Sequence, residues 1–417
     1  MKSELINKAY EIAKERYAEL GIDTEKVMDT MDKIRISLHC WQADDVAGFE
    51  SNGSLTGGIQ ATGNYPGKAR NIDEVRADIL KASSLMPGKQ RLNLHEIYGD
   101  FKGQFVDRDQ VEPKYFESWM QWAKENDFKL DFNSTSFSHP KSGNLSLANP
   151  DKSIRDFWIE HTKRCREISE VMGERQGDPC IMNLWIHDGS KDITVNRMKY
   201  RDLLRDSLDQ IFAKEYKNMK DCIESKVFGI GLESYTVGSN DFYIGYATKH
   251  QKLITLDTGH FHPTESTADK VSSLLLFVPE LMLHVSRPVR WDSDHVTIMD
   301  DPTLELFQEI VRCDALDRVH IGLDYFDASI NRIGAYVIGT RAAQKCLLRA
   351  LLEPLAQLRK YEAEDKGFER LALLEEEKAM PFAAVWDMYC QRNDVPVGTD
   401  FIPEIEKYEV EVLSKRA

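Results

Sequence analysis

The sequence has little of what a disulfide framework or a zinc–thiolate site requires. Its 417 residues include seven cysteines, an odd number spread widely along the chain with no C-x-x-C pair. This usage argues against both kinds of site and predicts buried thiols in a reducing compartment. The amino terminus has the pattern of a charged amphipathic helix and not of a secretory signal, so we expect a cytoplasmic protein.

Long apolar runs and an excess of positive charge are also absent. The most apolar run, residues 274–285, is broken by Pro279 and Glu280 and is too short to span a bilayer. The formal net charge is −15, from 54 basic and 69 acidic side chains. This balance disfavours nucleic acid and anionic membranes as partners. It is typical of a globular enzyme that acts on a neutral small molecule, or of a protein that binds cations.

The sequence does contain eight short apolar segments, each separated from the next by a helical pattern. Their near-continuous apolar character is typical of parallel strands that are buried on both faces. Eight alternating βα units predict an α/β fold, namely a (β/α)8 TIM barrel. A doubly wound open sheet is the alternative, which is weakened because no G-x-G-x-x-G motif follows the first strand. The predicted strands are residues 35–41, 91–96, 128–133, 180–186, 221–226, 253–256, 281–285 and 318–324.

The pattern divides the chain into two predicted regions. Residues 1–340 would form the barrel together with an amino-terminal helical segment that ends its first helix at Gly21. Residues 341–417 are charged and helical, and we expect a C-terminal extension that packs on the barrel or on a neighbouring subunit. A long loop at 42–70, rich in glycine, asparagine, serine and threonine, interrupts the first βα unit. Such loops are commonly functional, with a disordered insertion as the alternative.

Metal-type ligands follow the predicted strands, beginning at residues 253–263. There a buried strand leads into Asp257 and His260, whose side chains can reach one divalent cation, although a single Asp-x-x-His pair is a weak signal. In a barrel the loops after the strands meet at one end, so ligands at the other strand ends should converge with this pair. Seven strand-end residues are Asp, Glu or His: Glu224, Asp257, His260, His284, Asp292, Asp294 and Asp324.

A cluster of five carboxylates and two imidazoles predicts bound cations. Without them the carboxylates would repel one another, and two divalent ions would neutralise most of the charge. Oxygen and nitrogen ligands without sulfur suit Mn, Mg, Co or Zn. Asp257, nearer the barrel axis, could bridge both ions, whereas His260 would reach only the outer one. His262 is the alternative to His260, and Asp292 and Asp324, taken singly, could instead be helix caps.

Other residues near the predicted site have competing interpretations. Lys226 shares a strand face with Glu224 and could polarise a substrate oxygen or form only a salt bridge. Trp185 ends the fourth strand and could offer a flat wall to a sugar ring or simply pack in the core. His320 is interpreted as a satisfied core histidine, and His39 is interpreted similarly although its burial is less clear.

Five long motifs stand out in the sequence, namely HCWQ at 39–42, GGIQATGNYPG at 57–67, GHFHP at 259–263, HVSRPVRWDSDH at 284–295 and GLDYFDASINR at 322–332. They resemble motifs of the bacterial L-rhamnose isomerase family. The resemblance runs over essentially the whole chain and implies a (β/α)8 barrel, a homotetramer and two divalent manganese ions per subunit. It also implies interconversion of a sugar substrate, L-rhamnose, with L-rhamnulose, with another aldose as the runner-up.

The resemblance further implies a role for each candidate residue. The ligands of the catalytic ion match His260, Asp292 and Asp294, with Asp257 bridging. The ligands of the structural ion match Glu224, Asp257, His284 and Asp324. The implied catalytic side chains are Lys226, His95 and Asp324, and the implied substrate contacts are Trp185, His95 and Lys226.

The expected reaction is a metal-assisted 1,2-hydride shift. The ligand set leaves no free carboxylate to act as a base on carbon, whereas proton transfer through a cis-enediol, the rival mechanism, needs such a base. Two alternatives come from other classes of protein. A two-metal phosphoesterase-type hydrolase would need more basic residues for phosphate, and a non-catalytic sugar-binding or scaffold protein would not need seven convergent ligands.

Overall fold

Eight short parallel strands close into a barrel. The structure is a computed structural model that describes residues 2–50, 63–226, 234–290 and 292–416. The predicted (β/α)8 barrel is confirmed, and the open sheet is wrong. The strands are β1 (Ile36–His39), β2 (Gln90–His95), β3 (Lys129–Asn133), β4 (Cys180–Leu184), β5 (Met219–Glu224), β6 (Leu253–Asp257), β7 (Leu281–Val285) and β8 (Val319–Leu323).

The barrel strands follow one another around the ring in chain order. The ring is completed where β1 pairs with β8, with Ser37 opposite Gly322. A Cβ at Gly322 would lie 2.7 Å from the carbonyl oxygen of Leu283, so glycine permits the close approach of β7 and β8. Every residue of β4, β6 and β7 is buried, which explains the near-continuous apolar segments in the sequence.

The described part of the chain contains fourteen α-helices, and most of them surround the barrel. Their ends follow local signals: Gly21, with φ of 77°, follows the first helix, and Gly177, with φ of 62°, ends the fifth. None of these helices combines the length and the apolar character that a membrane crossing requires. They are α1 (Lys2–Glu19), α2 (Thr24–Met31), α3 (Ile72–Ser83), α4 (Glu117–Glu125), α5 (Lys152–Gln176), α6 (Arg197–Ile211), α7 (Asn240–His250), α8 (Ala268–Leu275), α9 (Asp301–Arg312), α10 (Arg332–Leu351), α11 (Leu355–Ala363), α12 (Gly367–Glu377), α13 (Phe382–Arg392) and α14 (Phe401–Glu411).

The C-terminal helices pack against the amino-terminal part of the same chain. Helix α13 contacts α1, and Arg392 pairs with Asp29 at 2.6 Å. Arg416 forms a buried pair with Asp78 on α3, at 2.6 Å. Helix α10 runs continuously through position 340, and the division into residues 1–340 and 341–417 stays a prediction.

The loop after β1 is tied down at both of its described ends. Residues 51–62 of the predicted functional loop at 42–70 lie outside the described residues. On either side of them, the buried Arg332 donates to the carboxylate of Asp45 at 2.9 and 2.6 Å and to the carbonyls of Tyr65 and Pro66 at 2.5 and 2.9 Å. One guanidinium therefore holds both ends of the loop against the start of α10.

Candidate metal centre and active site

Two groups of ligand-type side chains meet where β5 to β8 end, which we call the carboxyl-terminal rim. In each group, the residues offer one ligand atom apiece and these atoms lie within 4.8 Å of one another. Asp257 belongs to both groups, so its carboxylate lies between two candidate ion positions. The first ligand group is Glu224, Asp257, His284 and Asp324, and the second ligand group is Asp257, His260 and Asp292.

His284 is central to the first ligand group. Its Nδ1 atom lies 3.2 Å from Glu224 Oε1, 3.2 Å from Asp324 Oδ2 and 3.9 Å from Asp257 Oδ2. The most exposed of the four side chains is Asp324, at 13 %. Three carboxylates therefore face one imidazole in a pocket that water barely reaches.

The backbone orients His260 in the second ligand group. Its Nδ1 atom lies 2.8 Å from the carbonyl oxygen of Ser225, which can only accept, so Nδ1 carries the hydrogen. The other nitrogen, Nε2, lies 3.3 Å from Asp292 Oδ2 and 3.7 Å from Asp257 Oδ2. A ring N–H held by a carbonyl, with the second nitrogen left free, is the usual arrangement of a metal-binding histidine.

The loop after β6 places Asp257 with one oxygen free. Asp257 Oδ1 accepts a hydrogen bond from the backbone N–H of Gly259 at 2.7 Å. A Cβ at Gly259 would collide with Asp292 Oδ1, so only glycine lets the two carboxylates approach here. The Oδ2 atom of Asp257 has no hydrogen-bond partner among the described residues and faces both candidate positions.

The cluster creates a strongly negative, buried environment. Burial raises the pKa of Asp257 to about 8, and repulsion from Asp292 and Glu224 adds to the rise. Burial and then Asp292 raise the pKa of Asp294 well above its usual range. Burial opposes charge on His284 too, but Glu224 and its other acidic neighbours hold the pKa of this imidazole well above its usual range. Such a field favours a bound cation.

Unpaired buried atoms show that these residues fit a divalent metal. Asp257 Oδ2, Asp292 Oδ1 and His284 Nε2 are buried and have no hydrogen-bond partner in the described part of the chain. Burying such polar atoms without a partner costs free energy. A cation bound between them would supply the missing partner, and the carboxylates would balance its charge. Because the donors are oxygen and nitrogen without sulfur, they suit a divalent ion. The buried acidic and imidazole cluster therefore indicates a divalent-metal site.

Two of the predicted ligand candidates, Asp294 and His262, lie outside both ligand groups. Asp294 lines the same cleft, but its carboxylate lies outside both ligand groups. Its backbone has φ of 45°, a left-handed conformation that surrounding contacts must hold. His262 is exposed, and its ring Nδ1 lies 2.8 Å from Thr264 Oγ1. Of the two histidines in this loop, only His260 joins the cluster.

A positively charged group lies at the edge of the cleft. Lys226 Nζ lies 2.7 Å from Asp292 Oδ2 and 4.7 Å from the centre of the Trp185 ring. The salt-bridge interpretation of Lys226 is thus present in the structure, and the same side chain still lines the cleft. Burial opposes its charge, but Asp292 and then Asp294 hold its pKa above the usual range, so it stays an ammonium group.

His95 lines the other side of the cleft with one nitrogen free. Its ring stacks on Trp41 with the ring centres 4.0 Å apart, and its Nδ1 lies 3.1 Å from Thr135 Oγ1. Its Nε2 has no partner among the described residues. Burial, and then His39, lower the pKa of His95 well below its usual value, so the ring is neutral at pH 7. The indole Nε1 of Trp185 is likewise buried and without a partner in the described chain.

Sequence reasoning missed part of this cleft. Asn183 donates to Glu224 Oε2 at 2.6 Å and accepts from Thr255 Oγ1 at 2.7 Å, so it orients a carboxylate of the first ligand group. Phe326 and Trp41 also line the cleft, with ring centres 5.5 Å apart. The available signal was alternation: Asn183 lies two residues before Trp185, and Phe326 lies two residues after Asp324.

The two histidines interpreted as core residues have different outcomes. His320 is the second residue of β8 and lies at the amino-terminal end of the barrel. It is 29 % exposed, with its Nε2 2.6 Å from Glu280 Oε2, so the core assignment is wrong. His39 is buried, at 2 % exposure, as expected, and it lies at the carboxyl-terminal rim. Its Nε2 is 3.4 Å from Asp324 Oδ1.

A closed (β/α)8 barrel with a cluster of metal-type ligands at its carboxyl-terminal rim defines a class of barrel enzymes, because the active sites of this fold lie at that rim. Within this class, the chain belongs to the L-rhamnose isomerase family. The family model described as L-rhamnose isomerase (RhaA) matches residues 4–416. The resemblance read from the sequence motifs is confirmed.

Two full-length relatives, both named L-rhamnose isomerase, agree with this assignment. The L-rhamnose isomerase of Bacteroides thetaiotaomicron is 79 % identical over 416 residues, which cover 100 % of both chains. The L-rhamnose isomerase of Escherichia coli K12 is 56 % identical over 415 residues, 99 % of each chain. A solved structure, the D-psicose 3-epimerase of Clostridium cellulolyticum H10, aligns with a TM-score of 0.42 and 11 % identity over 78 % of this chain and 99 % of its own.

Proposed function

We propose that this chain interconverts L-rhamnose and L-rhamnulose at the carboxyl-terminal rim. The observation that carries the proposal is the sharing of Asp257 by two ligand groups, in a chain that belongs to the L-rhamnose isomerase family along its whole length. The hydrolase alternative has no support among these relatives. In addition, Lys226 is the single lysine or arginine among the described residues that line the cleft, whereas phosphate is usually held by several basic groups.

The two ligand groups would hold two divalent ions, which we take to be manganese. Glu224, Asp257, His284 and Asp324 would hold one ion. Asp257, His260 and Asp292 would hold the other, with Asp294 beside them. When bound, such ions act as Lewis acids that stabilise negative charge on the sugar oxygens.

Side chains at the cleft would bind and orient the sugar. The aromatic face of Trp185 suits the C–H face of a sugar, and its free indole N–H can donate to a hydroxyl group. His95 Nε2 is likewise free for a sugar hydroxyl. Lys226 would place its ammonium group near the carbonyl oxygen, where negative charge develops during the reaction.

The residues of the cleft favour transfer of the C2 hydrogen to C1 as a hydride. The described carboxylates that line the cleft all lie in the two ligand groups or, for Asp294, beside them. His95 remains, but its lowered pKa makes it a weak base for a proton on carbon. The reaction run in deuterium oxide tests this step. We expect no carbon-bound deuterium at C1 of the ketose, and one solvent deuterium there would overturn the hydride shift while leaving the isomerase activity intact.

The ligand assignment can be tested with a matched pair of histidine variants on one loop. His260→Asn should lose one of two bound Mn²⁺ ions and the isomerase activity on L-rhamnose, because Nε2 of His260 faces Asp257 and Asp292. His262→Asn should keep both, because His262 is exposed and contacts Thr264. Ion stoichiometry from elemental analysis of the dialysed proteins measures the difference. Two ions and full activity in His260→Asn would contradict the assignment.

We further propose a cytoplasmic homotetramer. All seven cysteines are free thiols and six of them are buried, which supports a reducing compartment. Exposed apolar side chains such as Leu276 and Phe277, at 80 % and 61 % exposure, support contact with other subunits. Light scattering should give a mass four times the 47.9 kDa of one chain. A monomer mass would contradict the assembly but not the reaction.

A further inference from the structure

His39 is a buried side chain at the carboxyl-terminal rim that the reaction described above does not use. It ends β1, which pairs with β8 in the barrel, and is 2 % exposed. Its Nε2 lies 3.4 Å from Asp324 Oδ1, and neither atom has a hydrogen-bond partner among the described residues. Two buried polar atoms that would each be costly to leave unpaired therefore face each other.

The backbone decides which nitrogen of His39 carries the hydrogen. The Nδ1 atom lies 3.4 Å from the backbone N–H of Trp41, which can only donate, so Nδ1 accepts. In the neutral ring the hydrogen is then on Nε2, the atom that faces Asp324. The hydroxyl of Tyr336 on α10 donates to the carbonyl oxygen of His39 at 2.7 Å and fixes the backbone of this residue.

The carboxylate of Asp324 is held from two sides. Its Oδ2 lies 3.2 Å from His284 Nδ1 within the first ligand group, while its Oδ1 faces the N–H of His39. We propose that His39 is a positioning residue that holds Asp324 in the orientation that completes the first ligand group. Outer partners of this kind set the orientation and basicity of a metal ligand. The inference rests on the proposed two-ion site.

A packing role is the competing explanation for His39. Its ring centre lies 4.4 Å from that of Trp41 and 5.1 Å from that of His95, so the ring could serve only to support the aromatic wall. Two variants separate the explanations. His39→Gln keeps an amide N–H near the position of Nε2 and loses the ring, whereas His39→Phe keeps a ring and loses the donor.

The test is Mn²⁺ binding to the metal-stripped, full-length protein, measured by titration calorimetry with circular dichroism as the folding control. The wild-type protein should bind two ions. His39→Phe should lower the affinity for one of these ions about 10- to 100-fold and leave the affinity for the other nearly unchanged. His39→Gln should bind both ions with affinities within a few-fold of those of the wild type. Should His39→Phe not fold, His39→Leu removes the same donor with the same expectation.

Three outcomes would overturn the inference. If His39→Phe binds both ions as tightly as the wild type, or if His39→Gln loses more affinity than His39→Phe, His39 acts through its ring and not through its N–H. If the wild-type protein itself does not bind two ions, the proposed site fails and this inference fails with it. The wild-type titration therefore distinguishes the two failures.

Discussion

Asp257 shows at the scale of single residues how much the sequence alone can predict. The residue ends a buried strand, and in a barrel that position alone places its side chain at the carboxyl-terminal rim. Asn183 was missed because the predicted cluster was drawn from Asp, Glu and His side chains, and an amide is not among them. Its contact with Glu224 depends on the pairing of β4 with β5, which sets Asn183 opposite Cys222. The residue types of the cluster were predictable, but the groups that orient them were not.

His320 shows why the depth of a residue along a strand is harder to predict than the strand itself. The apolar run around it extends over residues 318–324, and nothing in that run indicates which end is open to solvent. The structure begins β8 at Val319 and brings Glu280 beside His320 through the pairing with β7. Register and closure of the barrel, which are long-range properties, decided its environment.

Lys226 gives a prediction at the residue scale. Lys226→Met should lower kcat on L-rhamnose by about 100-fold or more, the usual loss when one group that stabilises transition-state charge is removed. Affinity for Mn²⁺ should change only a few-fold, because the amine contacts Asp292 from outside the second ligand group. Steady-state kinetics at saturating Mn²⁺ measures the first effect and calorimetry the second.

Lys249→Met, at an exposed position on α7, is the matched control for Lys226→Met and should behave as the wild type. A Lys226→Met protein that loses metal affinity but turns over normally once loaded would make Lys226 a structural residue.

At the scale of secondary-structure elements, the sequence predicts the strands and the capped helices well. It predicts the buried helix α10 only in part. Asp151 caps α5 by accepting from the backbone of Ser153, a local signal that the sequence shows directly. The sequence indicated a charged helical region only from residue 341, whereas α10 begins at Arg332, because this helix is buried on nearly all sides and so lacks a polar face. Its end at Leu351 precedes Pro354, which separates it from α11.

The loops after β1 and β8 are joined by one side chain, which gives a prediction at this scale. The buried amide of Gln42 donates to the carbonyl of Asp327 and accepts from its N–H, both at 2.9 Å. Gln42→Leu leaves both backbone groups unpaired and should cost about 2–3 kcal/mol of the free energy of unfolding. Because Trp41 and Phe326 flank this contact, the KM for L-rhamnose should rise more than kcat falls.

Denaturant unfolding and steady-state kinetics measure these two effects of Gln42→Leu. Gln210→Leu, on the exposed face of α6, is the control and should leave both unchanged. Lost stability with an unchanged KM would show that the contact joins the loops without shaping the cleft.

At the scale of the whole molecule, ionic contacts lie at both ends of the barrel. At the amino-terminal end, Glu280 accepts from Lys220 at 2.6 and 2.5 Å and lies 2.6 Å from His320. Burial opposes its charge, but His320 and then Lys220 lower the pKa of Glu280 to about 2. This network lies far from the carboxyl-terminal rim and belongs to stability, not to the reaction.

Glu280 therefore predicts an acid-dependent stability. Because its pKa is lowered in the folded protein, the stabilisation is present above its ordinary pKa of 4.5 and is lost as the pH falls towards 2. Glu280→Gln should reduce the free energy of unfolding by about 1–2 kcal/mol at pH 7, after allowance for solvent screening, and flatten its pH dependence between pH 4.5 and 2. Urea unfolding across this pH range measures the free energy of unfolding. Glu406→Gln, at an exposed position, is the control. An unchanged pH profile would contradict the role of this network.

The most direct test of the two-ion site is a titration of Mn²⁺ into the metal-stripped protein. L-rhamnulose formation is recorded against the number of ions bound per chain. Because Asp257 is shared by both ligand groups, we predict no ketose from the metal-free protein and the full rate only when two ions are bound. Full turnover without metal, or saturation of the rate at one ion per chain, would contradict the proposed two-ion site.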